Sequence, residues 1–153
     1  MRRKERERGA EFIHRVMDRC EYMVLSMTGA DGLPYCVPLT PVRSGETIYF
    51  HCAPEGEKTD ALRANPRVAM AFVEEAETVP RKFTARYSSA LARGTASEVT
   101  DEEEKREALR LLCLRHCPAD MDRFDEALKA WLPGTAVWRI HIDSATGKAN
   151  AGE

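Results

Sequence analysis

The stretch Ile48-Tyr49-Phe50-His51-Cys52-Ala53-Pro54-Glu55-Gly56-Glu57-Lys58 sets the reading of this chain. Residues 47–52 are rich in β-branched and aromatic side chains, as in a strand. That strand delivers a polar pair, His51 and Cys52, to its end. A loop over 53–56 follows. Residues 57–64 then read as a short helix closed by Asn65-Pro66, because the residue before proline is pushed out of the helical region. Lys58 falls in the first turn, where N–H groups without intrahelical acceptors suit a phosphate. A lysine there opposes the helix dipole. An anionic partner would explain it; a solvated surface lysine is the alternative. His51 has the near-neutral pKa that proton transfer needs, yet a lone histidine at a strand end also serves as an ordinary hydrogen-bonded residue.

Working outward, Arg43-Ser44-Gly45-Glu46 is a tight hairpin signal between strand-like runs at 34–42 and 47–52. Prolines at 34, 38 and 41 cannot donate ladder hydrogen bonds, so the first run belongs at an edge, a bulge or a barrel rim. Residues 22–28 form another short apolar strand, ended by Gly29-Ala30-Asp31-Gly32. Residues 4–19 read as an amphipathic helix through Ile13, Val16, Met17 and Cys20. Downstream, 67–73 is a strand, 74–86 a polar connection, and 87–99 a long strand interrupted at Gly94. Thr100 and Glu103 have capping-box spacing and open a helix whose buried face includes Leu111 and Leu112. A second helical piece covers 120–131, and 135–143 is the last strand. The expected fold is mainly β: six antiparallel strands in a small barrel decorated by helices. The first three strands follow one another too closely for crossover helices, which disfavours a doubly wound parallel sheet.

The 153 residues, 43% apolar and 31% charged, fit one globular domain over 1–153. A net charge of −2 argues against nucleic-acid binding, which needs a basic surface. The basic N-terminal residues Arg2, Arg3, Lys4, Arg6 and Arg8 are interleaved with Glu5 and Glu7 and read as a solvated turn. No apolar run suits a membrane span or an export signal, so a cytoplasmic location without membrane attachment is expected. The five cysteines, odd in number and scattered, suit reduced thiols. Cys113 and Cys117 stand at i, i+4 around His116, but no second ligand cluster accompanies them, and no metal is expected. Nucleophile-elbow, Walker and dinucleotide motifs are absent from the sequence.

Several fragments in order carry a resemblance: Asp31-Gly32-Leu33-Pro34-Tyr35-Cys36-Val37-Pro38-Leu39; Ile48 to Ala53 with Gly56 and Lys58; Asn65-Pro66 with Val68; Tyr87-Ser88-Ser89 with Gly94 and Ala96; Val137-Trp138-Arg139-Ile140; and Gly147-Lys148. The chain thereby resembles the pyridoxamine-phosphate-oxidase-like FMN-binding split barrels, and among them most resembles the 5-nitroimidazole resistance group. The resemblance implies a six-stranded split β-barrel of antiparallel Greek-key type with three to five helices. It also implies a homodimer holding FMN between subunits. Val37, Pro38, Leu39 and Thr40 would then line the flavin, His51 and Cys52 would approach its ring and ribityl chain, and Lys58 would meet its phosphate. Ser88 and Ser89 would also contact it. Tyr35 and Thr40 occupy the region where oxidases of the wider superfamily carry a basic phosphate ligand, leaving Lys58 as the main cation.

The expected activity is FMN-dependent reduction of small electron-poor acceptors such as nitroimidazoles, with a reduced nicotinamide or another donor and with His51 as the catalytic group. Trp138 would either wall the site or fill the core. The alternative is a non-enzymatic module loaded with flavin, haem or deazaflavin. In the haem case His51, His14, His116 or His141 would be axial-ligand candidates.

Overall fold

The computed structural model describes residues 3–152. Its strands are β1 (Glu7–Arg8), β2 (Met23–Thr28), β3 (Pro34–Leu39), β4 (Val42–Ser44), β5 (Thr47–Cys52), β6 (Arg67–Val79), β7 (Thr84–Glu98) and β8 (Ala136–Asn150). The α-helices are α1 (Ala10–Arg19), α2 (Glu57–Ala64), α3 (Glu102–His116) and α4 (Phe124–Trp131). The strands form one antiparallel sheet in the order β3-β2-β6-β7-β8-β5-β4, with β1 added to β8. The two end strands, β3 and β4, are joined in sequence by only Thr40 and Pro41. The sheet must therefore curl until its ends approach, while no ladder joins β3 to β4 among the described residues. A barrel left open along one seam is the split barrel the sequence implied. The pairings β2–β6 and β5–β8 interleave the local hairpins, as a Greek key does.

Alternation along the strands fills the interior. Leu25, Ile48, Phe50, Met70, Phe72 and Ile140 are fully buried there. On α1, Ile13, Val16 and Met17 join the same cluster. From α2 come Ala61 and Leu62. A smaller cluster of Val99, Ala108 and Val137 attaches α3 to the outer face of the barrel. Polar contacts hold that helix in place. Tyr49 donates to Glu104 (3.0 Å), Arg139 pairs with the same carboxylate (2.6 Å), and Arg115 donates to the carbonyls of Pro41 (2.9 Å) and Cys20 (2.5 Å). No helix among the described residues is long and apolar enough to cross a membrane.

The strand count and some boundaries differ from expectation. The run 34–42 splits into β3 and β4, since Pro41 cannot donate to a ladder and the chain turns there from one sheet edge to the other. The segment 74–86 is not a loose connection. It is the end of β6, a turn at 80–83 and the start of β7, in continuous register from Glu75↔Ser88 to Val79↔Thr84. Its polar alternation hid the strands because neither face is covered by a core. The last strand runs on to Asn150, paired with β7 as far as Tyr87; it was hidden because the face it buries against α1 is made by Ala145 and Gly147, not by large apolar side chains. The first helix begins at Ala10, because residues 4–8 offer no apolar stripe to bury. Asp101, not Thr100, caps α3 by accepting from the Glu104 N–H (2.8 Å). Gly94 marks the expected irregularity, a register shift against β8. A Cβ there would lie 2.3 Å from the His141 carbonyl oxygen.

Candidate functional site

Period-two alternation sends the two polar residues at the end of β5 to opposite faces. Cys52 turns inward and packs against the core cluster. His51 turns outward, beneath α3 and α4, and lines a cavity of about 480 Å³. A single planar ligand on one face of β5 therefore meets one of these side chains directly, not both in the same way. Thr40, in the link between the sheet ends, reaches the same cavity, as do His116 and Cys113 from α3.

Beyond Cys52 the chain turns through 53–56 into α2. Gly56 has φ +132°, where an L side chain would be strained, and it accepts from Thr59 Oγ1 (2.8 Å). Arg63 ties this loop down by donating to the Pro54 carbonyl (3.1 Å) and pairing with Glu98 (3.0 Å). The first N–H groups of α2, at Glu57 and Lys58, are thus presented on a fixed turn, and Lys58 is half-buried beside them.

The charge of Lys58 is felt at both ends of the polar pair. Burial, then Lys58 and then His116 hold the His51 pKa below its usual value of 6.5. At neutral pH the ring is therefore uncharged, with one N–H donor and one acceptor nitrogen. Burial pushes the Cys52 thiol up; Lys58 and Arg63 oppose this and Glu98 reinforces it. Cys52 stays a thiol rather than a thiolate nucleophile at neutral pH. The arrangement can bind an anion at the α2 start and offer a neutral hydrogen-bonding group next to it.

The structure brings some of the sequence-picked residues together and separates others. His51, Cys52 and Lys58 are neighbours, and Thr40 shares the cavity with His51. Val37 and Leu39 face the core from β3, while Pro38 is exposed on the other side. Ser88 and Ser89 lie elsewhere: they pair with Ala149 and Lys148 on β8, whereas His51 pairs with Val137. Those positions are roughly eleven residues apart on one strand, about 35 Å of chain. Trp138 is 2% exposed within the core cluster, its indole N–H without an acceptor, so it fills the barrel rather than walling the cavity. His14 pairs with Glu46 (3.5 Å) at the surface, and His141 does not line the cavity; His116 donates Nε2–H to the Pro41 carbonyl (2.9 Å). Among the described residues no three His, Cys, Asp or Glu side chains are placed to hold a metal.

Residue-by-residue reading missed the cavity's far wall, formed by Leu109 on α3 and Phe124, Leu128 and Trp131 on α4. The available signal was the amphipathic spacing of Phe124, Leu128 and Trp131 at i, i+4 and i+7 in 124–131.

Comparison with known proteins places this geometry among relatives. A sequence family described as pyridoxamine 5'-phosphate oxidase matches residues 10–149. No curated protein matches the chain. A Bacteroides thetaiotaomicron protein with a proposed role in 5-nitroimidazole antibiotic resistance superposes with a TM-score of 0.75 at 27% identity, covering 92% of this chain and 84% of that one. A FAD-binding protein from Mesorhizobium loti gives 0.70 at 23% identity, covering 95% and 98%. A flavocytochrome from Azotobacter vinelandii gives 0.82 at 20% identity, covering 99% and 72%. At such identities the last two show a shared fold.

Proposed function

The chain belongs to the pyridoxamine 5'-phosphate oxidase family, which it matches over residues 10–149, and from that premise we propose that it binds FMN and reduces small electron-poor acceptors, nitroimidazoles among them. The observation that carries this reading is the pairing of a phosphate-type cradle with a neutral histidine. Lys58 and the first N–H groups of α2 form the cradle, and His51 stands next to it at the end of β5. The fit is chemical: a cation plus unpaired N–H donors on a glycine-bearing turn suits a terminal phosphate. When bound, the flavin supplies hydride or electron transfer from a reduced nicotinamide or a similar donor.

The protein's part is to bind and orient. Lys58 and α2 anchor the phosphate end. His51, uncharged at neutral pH, offers a hydrogen bond to a reacting acceptor more readily than it surrenders a proton. Cys52, half-buried and protonated, contributes packing. Ser88 and Ser89 stand far along β8 from His51 in the strand register. A second copy supplying that end would let the whole set serve one flavin, so a homodimer with sites at the interface is part of the proposed reading. The exposed outer sheet face, with Leu91 59% and Val73 47% accessible, suits such a partner.

A haem-loaded module is the rival reading, favoured by His51 and His116 lining one apolar cavity. The commitment of His116 Nε2 to Pro41 weighs against a two-histidine clamp. Optical spectra separate the two. Saturable binding of FMN, its absorbance bleached by a reduced nicotinamide and restored by a nitroimidazole, supports the proposal. A Soret band in the purified protein, or no change on adding FMN, overturns it. Light scattering that reports a monomer removes the shared site.

A further inference from the structure

We propose that the cavity between the end of β5 and the α3–α4 pair is the binding site for a neutral, planar, largely apolar molecule; that this molecule is the electron acceptor rests on the flavin reading above. The volume, about 480 Å³, falls within the range of small-molecule sites. Leu109 and Leu112 from α3, with Phe124 and Leu128 from α4, make apolar walls. No Lys, Arg, Asp or Glu lines it. A ligand with a fixed charge would lose its hydration there and meet no counter-ion, so the cavity selects against carboxylates, phosphates and amines.

Apart from the weakly polar thiols of Cys113 and Cys117 on the helix side, the polar groups that remain free are few and lie on the barrel side. Thr135 Oγ1 already donates to the Trp131 carbonyl (2.8 Å), and His116 Nε2 to that of Pro41 (2.9 Å). His51 and Thr40 are left to meet one or two heteroatoms of the occupant. At the rim, Trp131 keeps 64% of its surface exposed, an aromatic face open to a flat ring. Lys58 does not line the cavity, yet its charge reaches His51. His51 thus stands between the anion cradle on one side and the apolar cavity on the other, where an acceptor would have to lie to react beside a cofactor anchored at Lys58.

The test compares 2,3-dimethyl-1,4-naphthoquinone, which is neutral, with 2-hydroxy-3-methyl-1,4-naphthoquinone, which is of nearly the same shape and is an anion at pH 8. Both quinone-ring carbons are substituted in each, so neither adds the free thiols of Cys113 and Cys117 that line the cavity. Both are titrated into flavin-free protein at pH 8 while Trp131 fluorescence is followed; Trp131→Phe identifies its signal against that of the buried Trp138. The neutral quinone is expected to quench saturably and to bind at least about tenfold more tightly than the anion. Ala127→Phe, which places a ring in the cavity from α4, is expected to weaken the neutral quinone at least about tenfold while leaving the FMN titration unchanged. The smaller filler Ala127→Leu gives an intermediate loss and serves if the phenylalanine variant does not fold. Equal affinity for the two quinones, or binding of the neutral quinone that ignores both fillers, overturns the site. The two readings fail separately. Binding of the neutral quinone without any flavin binding removes the acceptor role and the flavin reading but keeps the cavity. Flavin-dependent reduction of that quinone by a reduced nicotinamide, two electrons and two protons per quinone, with the same KM in Ala127→Leu, removes the cavity and keeps the flavin.

Discussion

Replacing Lys58 by alanine tests the anion cradle most directly. The side chain is half-buried in the first turn of α2, close enough to His51 and Cys52 to influence both. Its removal deletes one charge-assisted contact to a phosphate, about 1–3 kcal/mol. The N-terminal end of the helix remains and still favours an anion by about 0.3–1 kcal/mol. FMN binding should therefore weaken roughly 5- to 150-fold rather than vanish, taking 1.4 kcal/mol per factor of ten. The helix itself should not suffer, because a lysine at its start opposes the dipole; the unliganded variant should be as stable as the parent or slightly more so. Isothermal titration with FMN and with riboflavin, which lacks the phosphate, separates the causes. The loss should appear for FMN and not for riboflavin. It should shrink as salt is raised, since screening already weakens the parent's contact. Unchanged FMN affinity refutes the cradle. An equal loss for both ligands refutes the phosphate contact and makes Lys58 a structural residue.

Four further outcomes follow from the structure. His51→Ala should retain flavin, because the side chain lies on the cavity side of β5, but should lose at least about tenfold in turnover with a nitroimidazole; unaltered turnover takes His51 out of the mechanism. An NMR titration should find the His51 ring deprotonating below the usual 6.5, and Lys58→Ala should move it upward. Because the folded-state pKa is depressed, the stability it contributes is present above the unfolded value and is lost as pH falls through the folded one, so His51→Gln should flatten that part of the acid-unfolding profile. Gly94→Ala should destabilise the β7–β8 pair by roughly 1–3 kcal/mol, since the added Cβ would sit 2.3 Å from the His141 carbonyl oxygen; urea unfolding with an unchanged midpoint contradicts this.

Much of the fold was legible because local signals agreed with each other. The hairpin at 43–46 and the short helix at 57–64 appear where turn chemistry and Asn65-Pro66 placed them. The prolines of 34–41 mark an edge strand and the link between sheet ends, as their missing N–H groups require. Legibility failed where strands bury no large apolar side chains. The β6–β7 ribbon beyond Val73 is held by backbone pairing with polar side chains on both faces, and the tail of β8 packs under α1 through Gly147, which has no side chain to mark a buried face.

The sequence by itself determined that a strand ending in His51-Cys52 leads into a helix starting at Lys58, because strand propensity, a glycine turn and a proline stop are local properties. It also carried the family resemblance, since fragment order survives in the linear text. Only the tertiary structure decided what surrounds that segment. Curling of the sheet and docking of α3 and α4 place Leu109, Phe124 and Trp131 over His51 from far along the chain. Strand pairing likewise carries Ser88 and Ser89 to the opposite end of β8 from His51. Such long-range packing depends on how apolar faces bury one another in space, which no local pattern of residues encodes.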